Sequence, residues 1–266
     1  MATNIPASIP RSTPLAPAEP AFVPKSGKVA QVKTMCTSCT LRELCLPCWG
    51  LTQSEMDVAD SLVFDRSRVR RGESLYRTGE SFTSLYAVRN GFFKATVLLA
   101  DGRRDQVTGF AMPGEIIGMD GIGPGKHTCN TIALEDSDVC AIPFVKLQEM
   151  AHEFPSLQQQ LRKTMSREIV REQGVMQLLG SMYAEERLAI FLLNLSKRFA
   201  ARGYSPSEFN LRMTRDEIGS YLGMTLETVS RIFSQFQDEG LIAVQRKLIR
   251  IRDSSGLERV VGREIG

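Results

Sequence analysis

Apolar and polar positions divide the chain into three regimes. Residues 1–33 are rich in Pro, Ala and Ser and carry no apolar period. They predict a disordered leader, unable to bury enough surface to offset its chain entropy. From about Val69 to Ile142 the pattern is short apolar runs punctuated by glycine. Leu85-Tyr-Ala-Val88 runs into Asn90-Gly91, a hairpin signal because both residues tolerate positive φ. A second run, 92–99, ends at Asp101-Gly102 and is followed by a third over 106–110. Many short strands at this spacing predict an antiparallel sandwich or roll.

Beyond Phe144 the period lengthens to that of helices. A short helix is predicted over 144–150, closed by Pro155, and then a long one over 156–181. Leu161, Met165, Val175, Leu179 and Met182 fall on a seam of alternating four- and three-residue steps. Glu168 and Glu172 hold the remaining seam positions, with Ile169 and Met176 beside them. Two readings fit: an amphipathic helix lying on the roll, or a two-fold dimer helix whose paired glutamates oppose association and keep it marginal. A further helix over 184–201 stops at Arg202-Gly203, and Tyr204-Ser-Pro-Ser207 forms a loop.

The next stretch is punctuated more sharply. Thr214-Arg-Asp-Glu217 is a capping box, in which the Thr hydroxyl accepts from the Glu217 amide and the carboxylate reaches back. The short helix it opens stops at Gly223, and Thr225 caps a second helix running to about Asp238. Two short helices joined by Gly223-Met224 form a helix-turn-helix pattern. On the second helix Val229, Ile232, Phe233 and Phe236 make one apolar face, while Glu227, Ser230 and Arg231 stand on the other. That placement suits double-stranded DNA, because the first turns of a recognition helix meet base edges in the major groove. Arg231 can donate to a guanine and Glu227 can accept from a cytosine amino group. The runs 241–244 and 248–251 flank Gln245-Arg-Lys247 and read as a two-stranded wing with a basic turn. The plainer alternative is a helical pair packed on the other domain, with Glu227 and Arg231 a solvated i,i+4 pair.

Composition changes this picture little. At 266 residues, 42% hydrophobic and 24% charged, the chain is long enough for two modest domains. A net charge of +3 does not by itself argue for a nucleic-acid partner. The two histidines, His127 and His152, sit apart, which disfavours a hydrolase built on an imidazole base. No run of about 18 apolar residues predicts a membrane span. Residues 1–20 lack the basic head and apolar core of a secretory signal, so a reducing cytoplasm is the expected compartment.

Cysteine changes it more. Four of the six cysteines fall within thirteen residues, as Cys36-x2-Cys39-x5-Cys45-x2-Cys48, just before a predicted helix over 51–60. A disulfide knot, a zinc knuckle and part of an iron–sulfur site compete. The reducing compartment disfavours the knot, and the two x2 pairs are also a zinc-like arrangement. A redox enzyme or electron carrier would need a second redox centre or a substrate pocket, for which the sequence carries no motif.

Taken together, these segments resemble the Crp/Fnr family of bacterial transcription regulators, in particular its oxygen-sensing, fumarate–nitrate-reduction branch. The resemblance runs from about Cys36 to about Arg252. It rests on the spacing of Cys36, Cys39 and Cys45, on Gly79-Glu80 with Ser84-Leu-Tyr-Ala87, and on Val139-Cys140-Ala-Ile-Pro143. It rests further on Ala184-Glu-Glu-Arg-Leu-Ala189, Asn194-Leu-Ser-x-Arg-Phe-Ala200, Met213-Thr-Arg215 and Thr225-Leu-Glu-Thr-Val-Ser-Arg231. The resemblance implies an α+β chain: an N-terminal antiparallel β-roll of eight strands, a long dimerisation helix and a C-terminal winged helix-turn-helix.

It implies a 4Fe-4S cluster held by Cys36, Cys39, Cys45 and Cys140, as thiolate ligation allows; the alternative is a zinc- or thiol/nitric-oxide-based sensor on the same scaffold. It implies a homodimer through Met165, Ile169, Glu172 and Met176, an oxygen-responsive regulator and not an enzyme. Base reading falls to Glu227, Ser230 and Arg231 on a TTGAT-N4-ATCAA-like palindrome, with RNA polymerase as protein partner. Cys48 and Cys129 have no counterpart among the family's ligands; each is expected as a buried small hydrophobe, a free thiol or a substitute ligand. The family's cyclic-nucleotide branch follows its Gly-Glu with an Arg-Ser/Thr-Ala segment. Here Gly114-Glu115 is present, but Lys126-His-Thr-Cys-Asn-Thr-Ile-Ala133 has no arginine, so no cyclic nucleotide is expected. The expected organisation is a leader over 1–33, cysteine loop and sensor roll over 34–155, dimerisation helix over 156–183, winged helix-turn-helix over 184–255 and a tail over 256–266.

Overall fold

The structure, a computed structural model, describes residues 39, 41, 66–99 and 105–262. The leader, Cys36, Cys45, Cys48 and the helix expected over 51–60 lie outside the described residues. Among the described residues eight strands precede the first α-helix: β1 (Arg66–Val69), β2 (Ser74–Tyr76), β3 (Ser84–Asn90), β4 (Phe93–Leu98), β5 (Asp105–Ala111), β6 (Ile116–Ile117), β7 (Asn130–Ala133) and β8 (Ser137–Pro143). They form two antiparallel sheets, β1-β8-β3-β6 and β2-β7-β4-β5, folded together as a roll. Leu85, Val88, Phe93, Val139 and Ile142 are almost wholly buried between them.

The Asn90-Gly91 signal does not make a hairpin. β3 pairs with β6 and β8, whereas β4 pairs with β5 and β7. Gly91, at φ 87°, instead carries the chain from one sheet to the other, and a Cβ there would run into the side chain of Ser137. The Asp101-Gly102 turn lies outside the described residues, but the strands it joins do pair, from Phe93↔Ala111 to Leu98↔Asp105.

Helix α1 (Phe144–Glu153) closes the roll, and α2 (Pro155–Ser181) follows after one extended residue, Phe154. Pro155 suits the first helical turn, where its missing N–H would have had no partner anyway. The seam expected along α2 is partly covered. Leu157 and Leu178 are buried, Leu161, Glu168 and Val175 are half-buried, and Met165, Ile169, Glu172, Met176 and Leu179 remain exposed in this chain. The exposed set keeps the four-three spacing.

The C-terminal part comprises α3 (Ala184–Ala200), β9 (Glu208–Asn210), α4 (Arg215–Leu222), α5 (Leu226–Asp238), β10 (Ile242–Gln245), β11 (Leu248–Ile251) and α6 (Ser254–Val261). The wing has three strands, β10-β11-β9, not two. β9 is three residues long with one buried apolar side chain, Phe209, too little pattern to stand out in the sequence. Residues 256–266, expected as a tail, include most of α6. Asp253 caps it by accepting from the Gly256 amide at 2.8 Å, and Leu257 and Val260 join the core. Gly256 is needed there, because a Cβ would collide with Asp253 and Leu241.

Candidate nucleic-acid interface and sensor site

The reading head is assembled by caps and a turn. Thr214 Oγ1 accepts from the Glu217 amide at 3.2 Å, and Glu217 Oε2 accepts from the Thr214 amide at 2.7 Å. Gly223 ends α4 in the left-handed region at φ 64°, and Thr225 Oγ1 caps α5 by accepting from the Thr228 amide at 3.2 Å. Val229, Ile232, Phe233 and Phe236 bury the inner face of α5, each contributing roughly 1.5–3 kcal/mol of burial. Arg215 braces the pair, its guanidinium 3.2 Å above the Phe233 ring. Burial lowers it to about 10, which leaves it charged at neutral pH.

With the inner face fixed, Glu227, Ser230 and Arg231 are all exposed on the outer face. Arg231 Nη2 stands 3.7 Å from Glu185 Oε1, with most of its side chain in solvent. Such a surface pair contributes at most about 1 kcal/mol and does not hold the arginine back from a base. At the wing tip Arg246 adopts φ 58° and, with Lys247, is exposed.

This head is docked on the roll. Lys94 Nζ of β4 donates to Glu217 Oε1 at 2.8 Å, and Ser220 Oγ accepts from the Val107 amide at 2.9 Å. Phe110 of β5 meets Phe191 and Tyr221 edge-on, with ring centroids 6.2 and 5.3 Å apart. A second lock joins Glu115 of the roll to Arg198 Nη2 at 2.6 Å and Arg202 Nη2 at 2.7 Å. Burial alone would raise the Glu115 carboxyl, but the two arginines more than offset it and hold the group below its ordinary range. Glu115 therefore serves as an interdomain counter-ion.

Inside the roll a cavity of about 420 Å³ opens toward α2. Its wall includes Tyr76, Asp120, Thr128, Cys129 and Thr131, and α2 contributes Met165, Glu168, Ile169 and Glu172. Asp120 sits in a single 3-10 turn, Met119–Gly121, entered through Gly118 at φ 98°. Its Oδ2 accepts from the Thr128 amide at 2.7 Å, the Cys129 amide at 3.4 Å, Thr128 Oγ1 at 3.4 Å and Cys129 Sγ at 3.5 Å. Its Oδ1 lies 3.4 Å from both the Tyr76 hydroxyl and His127 Nδ1. Burial opposes ionisation, but the bonds from His127 and the Thr128 amide outweigh it and bring the carboxyl to about 2. Burial and the neighbouring Asp120 charge push the Cys129 thiol up to about 12, and burial raises the Tyr76 hydroxyl too.

Two stretches of the chain match described domains: "Cyclic nucleotide-binding domain" over residues 66–154 and "Crp-like helix-turn-helix domain" over residues 186–260. The transcriptional regulatory protein btr of Bordetella pertussis is 47% identical over 86% of this chain and 94% of its own. The fumarate and nitrate reduction regulatory protein of Escherichia coli is 42% identical over 85% of this chain and 90% of its own. The chain belongs to the Crp/Fnr family of DNA-binding transcription regulators. Among solved structures, FixK2 from Bradyrhizobium japonicum is similar with a TM-score of 0.69 at 30% identity, covering 77% of this chain and all of that one. The roll, long helix and winged helix-turn-helix are thus the family's architecture in this chain.

Of the four cysteines expected to ligate a cluster in this Crp/Fnr chain, Cys39 and Cys140 fall among the described residues, both half-buried. Among the described residues no three His, Cys, Asp or Glu side chains converge on a metal position, and two of the expected ligands lie outside that set. Cys140 lies on β8, paired in register with Ala87 of β3 and with Arg66, the first residue of β1. The chain arriving from the cysteine segment therefore joins the roll directly beside Cys140, and twenty residues between Cys45 and Arg66 span ample distance. A thiol donor set with this tether fits a cluster. Cys129, the cysteine in the cavity wall, is buried and protonated, in keeping with a structural role. Among the described residues no helix is long and apolar enough to cross a membrane. The locks at Glu115 and Lys94 and the role of Asp120 were not read from sequence. Gly114-Glu115 stood out there only as half of a nucleotide motif.

Proposed function

We propose that the chain is a cytoplasmic, oxygen-responsive transcription regulator whose homodimer binds a TTGAT-N4-ATCAA-like palindrome and controls genes for anaerobic metabolism, with RNA polymerase as its partner at the promoter. One observation carries the reading. The Cys36-x2-Cys39-x5-Cys45 spacing precedes a roll with Cys140 beside its first strand, in a chain 42% identical to a fumarate and nitrate reduction regulatory protein.

When bound, a 4Fe-4S cluster supplies an oxygen-labile centre tied to the chain by thiolates. Cys36, Cys39 and Cys45 would hold it from the segment before β1, and Cys140 from β8, fixing that segment against the sheet. Met165, Ile169, Glu172 and Met176 form the dimer face. Their apolar atoms favour association, and two facing Glu172 carboxylates oppose it, so a few kcal/mol of bias moves most of the protein between states. Glu227, Ser230 and Arg231 read bases from the exposed side of α5.

A gel shift on the palindrome tests the reading. Protein prepared without oxygen should bind and then lose binding in air; undiminished binding in air would overturn it. Loss with nitric oxide but not with oxygen would favour the thiol or nitric-oxide alternative.

A further inference from the structure

Asp120 presents an arrangement that the DNA-reading and cysteine sites do not use. Six polar contacts converge on one carboxylate: the Thr128 and Cys129 amides, the Thr128 hydroxyl, the Cys129 thiol, the Tyr76 hydroxyl and His127 Nδ1. Two successive backbone amides aimed at one oxygen make an anion seat of the kind that cradles phosphates elsewhere. The hydroxyl and thiol neighbours remain protonated and can donate. The His127 ring is almost wholly buried and stacks on Tyr76 with centroids 3.6 Å apart, which fixes both donors in place.

The seat is in the wall of the roll's cavity, where Tyr76, Asp120, Thr128 and Cys129 all reach the surface of the void. The chain has also shaped the approach of the carboxylate. Gly118 has a positive φ, and a Cβ there would crowd Ser84 O; Gly121 is pressed on Phe82, where a Cβ has no room. The turn that carries Asp120 is thereby held against the donors.

We propose that Asp120 is a built-in anion: its carboxylate fills, from within the chain, the seat that this cavity wall would otherwise offer to the phosphate of a ligand. Asp120 is then a specificity-determining residue. It keeps the segment around Thr128 in an anion-bound arrangement at all times, and it excludes anionic ligands from the seat by occupancy and by charge. Nothing in this depends on Cys36, Cys39, Cys45 or Cys140, or on a cluster.

The test is anion rescue. The intact chain, Asp120→Ala and Asp120→Asn are melted in matched ionic strengths of chloride, formate and inorganic phosphate. Asp120→Ala should melt several degrees higher in formate or phosphate than in chloride, saturably. The parent chain and Asp120→Asn, whose seats remain filled, should show no such difference. If Asp120→Ala does not fold in chloride, dilution from urea into formate or phosphate should restore the fold. An Asp120→Ala chain whose melting or refolding is the same in all three anions would overturn the proposal, as would an equal anion effect on the parent chain.

Discussion

Lys94 of the roll and Glu217 of the helix-turn-helix meet at 2.8 Å, although 123 residues separate them in sequence. The same carboxylate closes the capping box of α4 through its other oxygen. One side chain therefore both starts the first helix of the reading head and ties that head to the sensor roll. Burial would raise the Glu217 carboxyl, but the bond and charge of Lys94 together with the bonds to Thr214 outweigh it and hold the group below its ordinary range.

This double duty separates two substitutions. Lys94→Met removes the interdomain bond and leaves the cap, and should cost about 1 kcal/mol of unfolding free energy in urea titrations. Glu217→Ala removes both and should cost about 2–3 kcal/mol. Equal losses would show that the cap contributes nothing.

Acid should reveal the Asp120 seat. Its carboxyl titrates near 2 in the fold against 3.8 in an open chain, so its contribution is present above about pH 4 and is lost as pH falls through about 2. The stability gap between the parent chain and Asp120→Asn should be about 2 kcal/mol at neutral pH, with about half of it gone by pH 3. His127, Tyr76 and Cys129 face the group and are shared by both proteins. A gap that widens on acidification would contradict the assignment.

The exposed residues of α2 make the proposed dimer testable in both directions. Glu172→Ala should tighten association by on the order of tenfold, the relief of one like-charge juxtaposition. Ile169→Asp should abolish it. Sedimentation equilibrium checks both, and an unchanged constant for Ile169→Asp would remove this face from the interface.

On DNA, Arg231→Ala should relax preference at one base position at a cost of about 1–3 kcal/mol, with the salt dependence nearly unchanged. Lys247→Ala, at the wing tip, should weaken binding about equally on all sequences and flatten the salt slope by about one. Titrations on single-base variants of the palindrome at several salt concentrations distinguish the two.

Legibility in the sequence followed the range of the interactions. The helix-turn-helix could be read because Thr214 with Glu217, Gly223, and Thr225 with Thr228 act within a few residues, and the face of Val229, Ile232, Phe233 and Phe236 repeats at the helical period. The roll was legible as strands but not as sheets: Asn90-Gly91 looks the same whether it joins paired strands or passes between layers, and only Ser137 from a distant strand decides. The seam of α2 was legible as apolar spacing, but which of its positions would be buried depended on Leu157 and Leu178 finding distant partners. Glu115 with Arg198 and Arg202 spans 83 and 87 residues, and no local pattern announces a counter-ion at that range. Asp120 was hidden for a different reason, as one acid in a glycine-rich turn whose donors become apparent only when Thr128 and Cys129 fold over it.

Iron and acid-labile sulfide, counted per chain after purification without oxygen, test the central claim most directly when the parent chain is compared with Cys140→Ala. The account predicts about four of each in the parent and loss of both in the variant. A single zinc per chain, without sulfide and retained by Cys140→Ala, would contradict it.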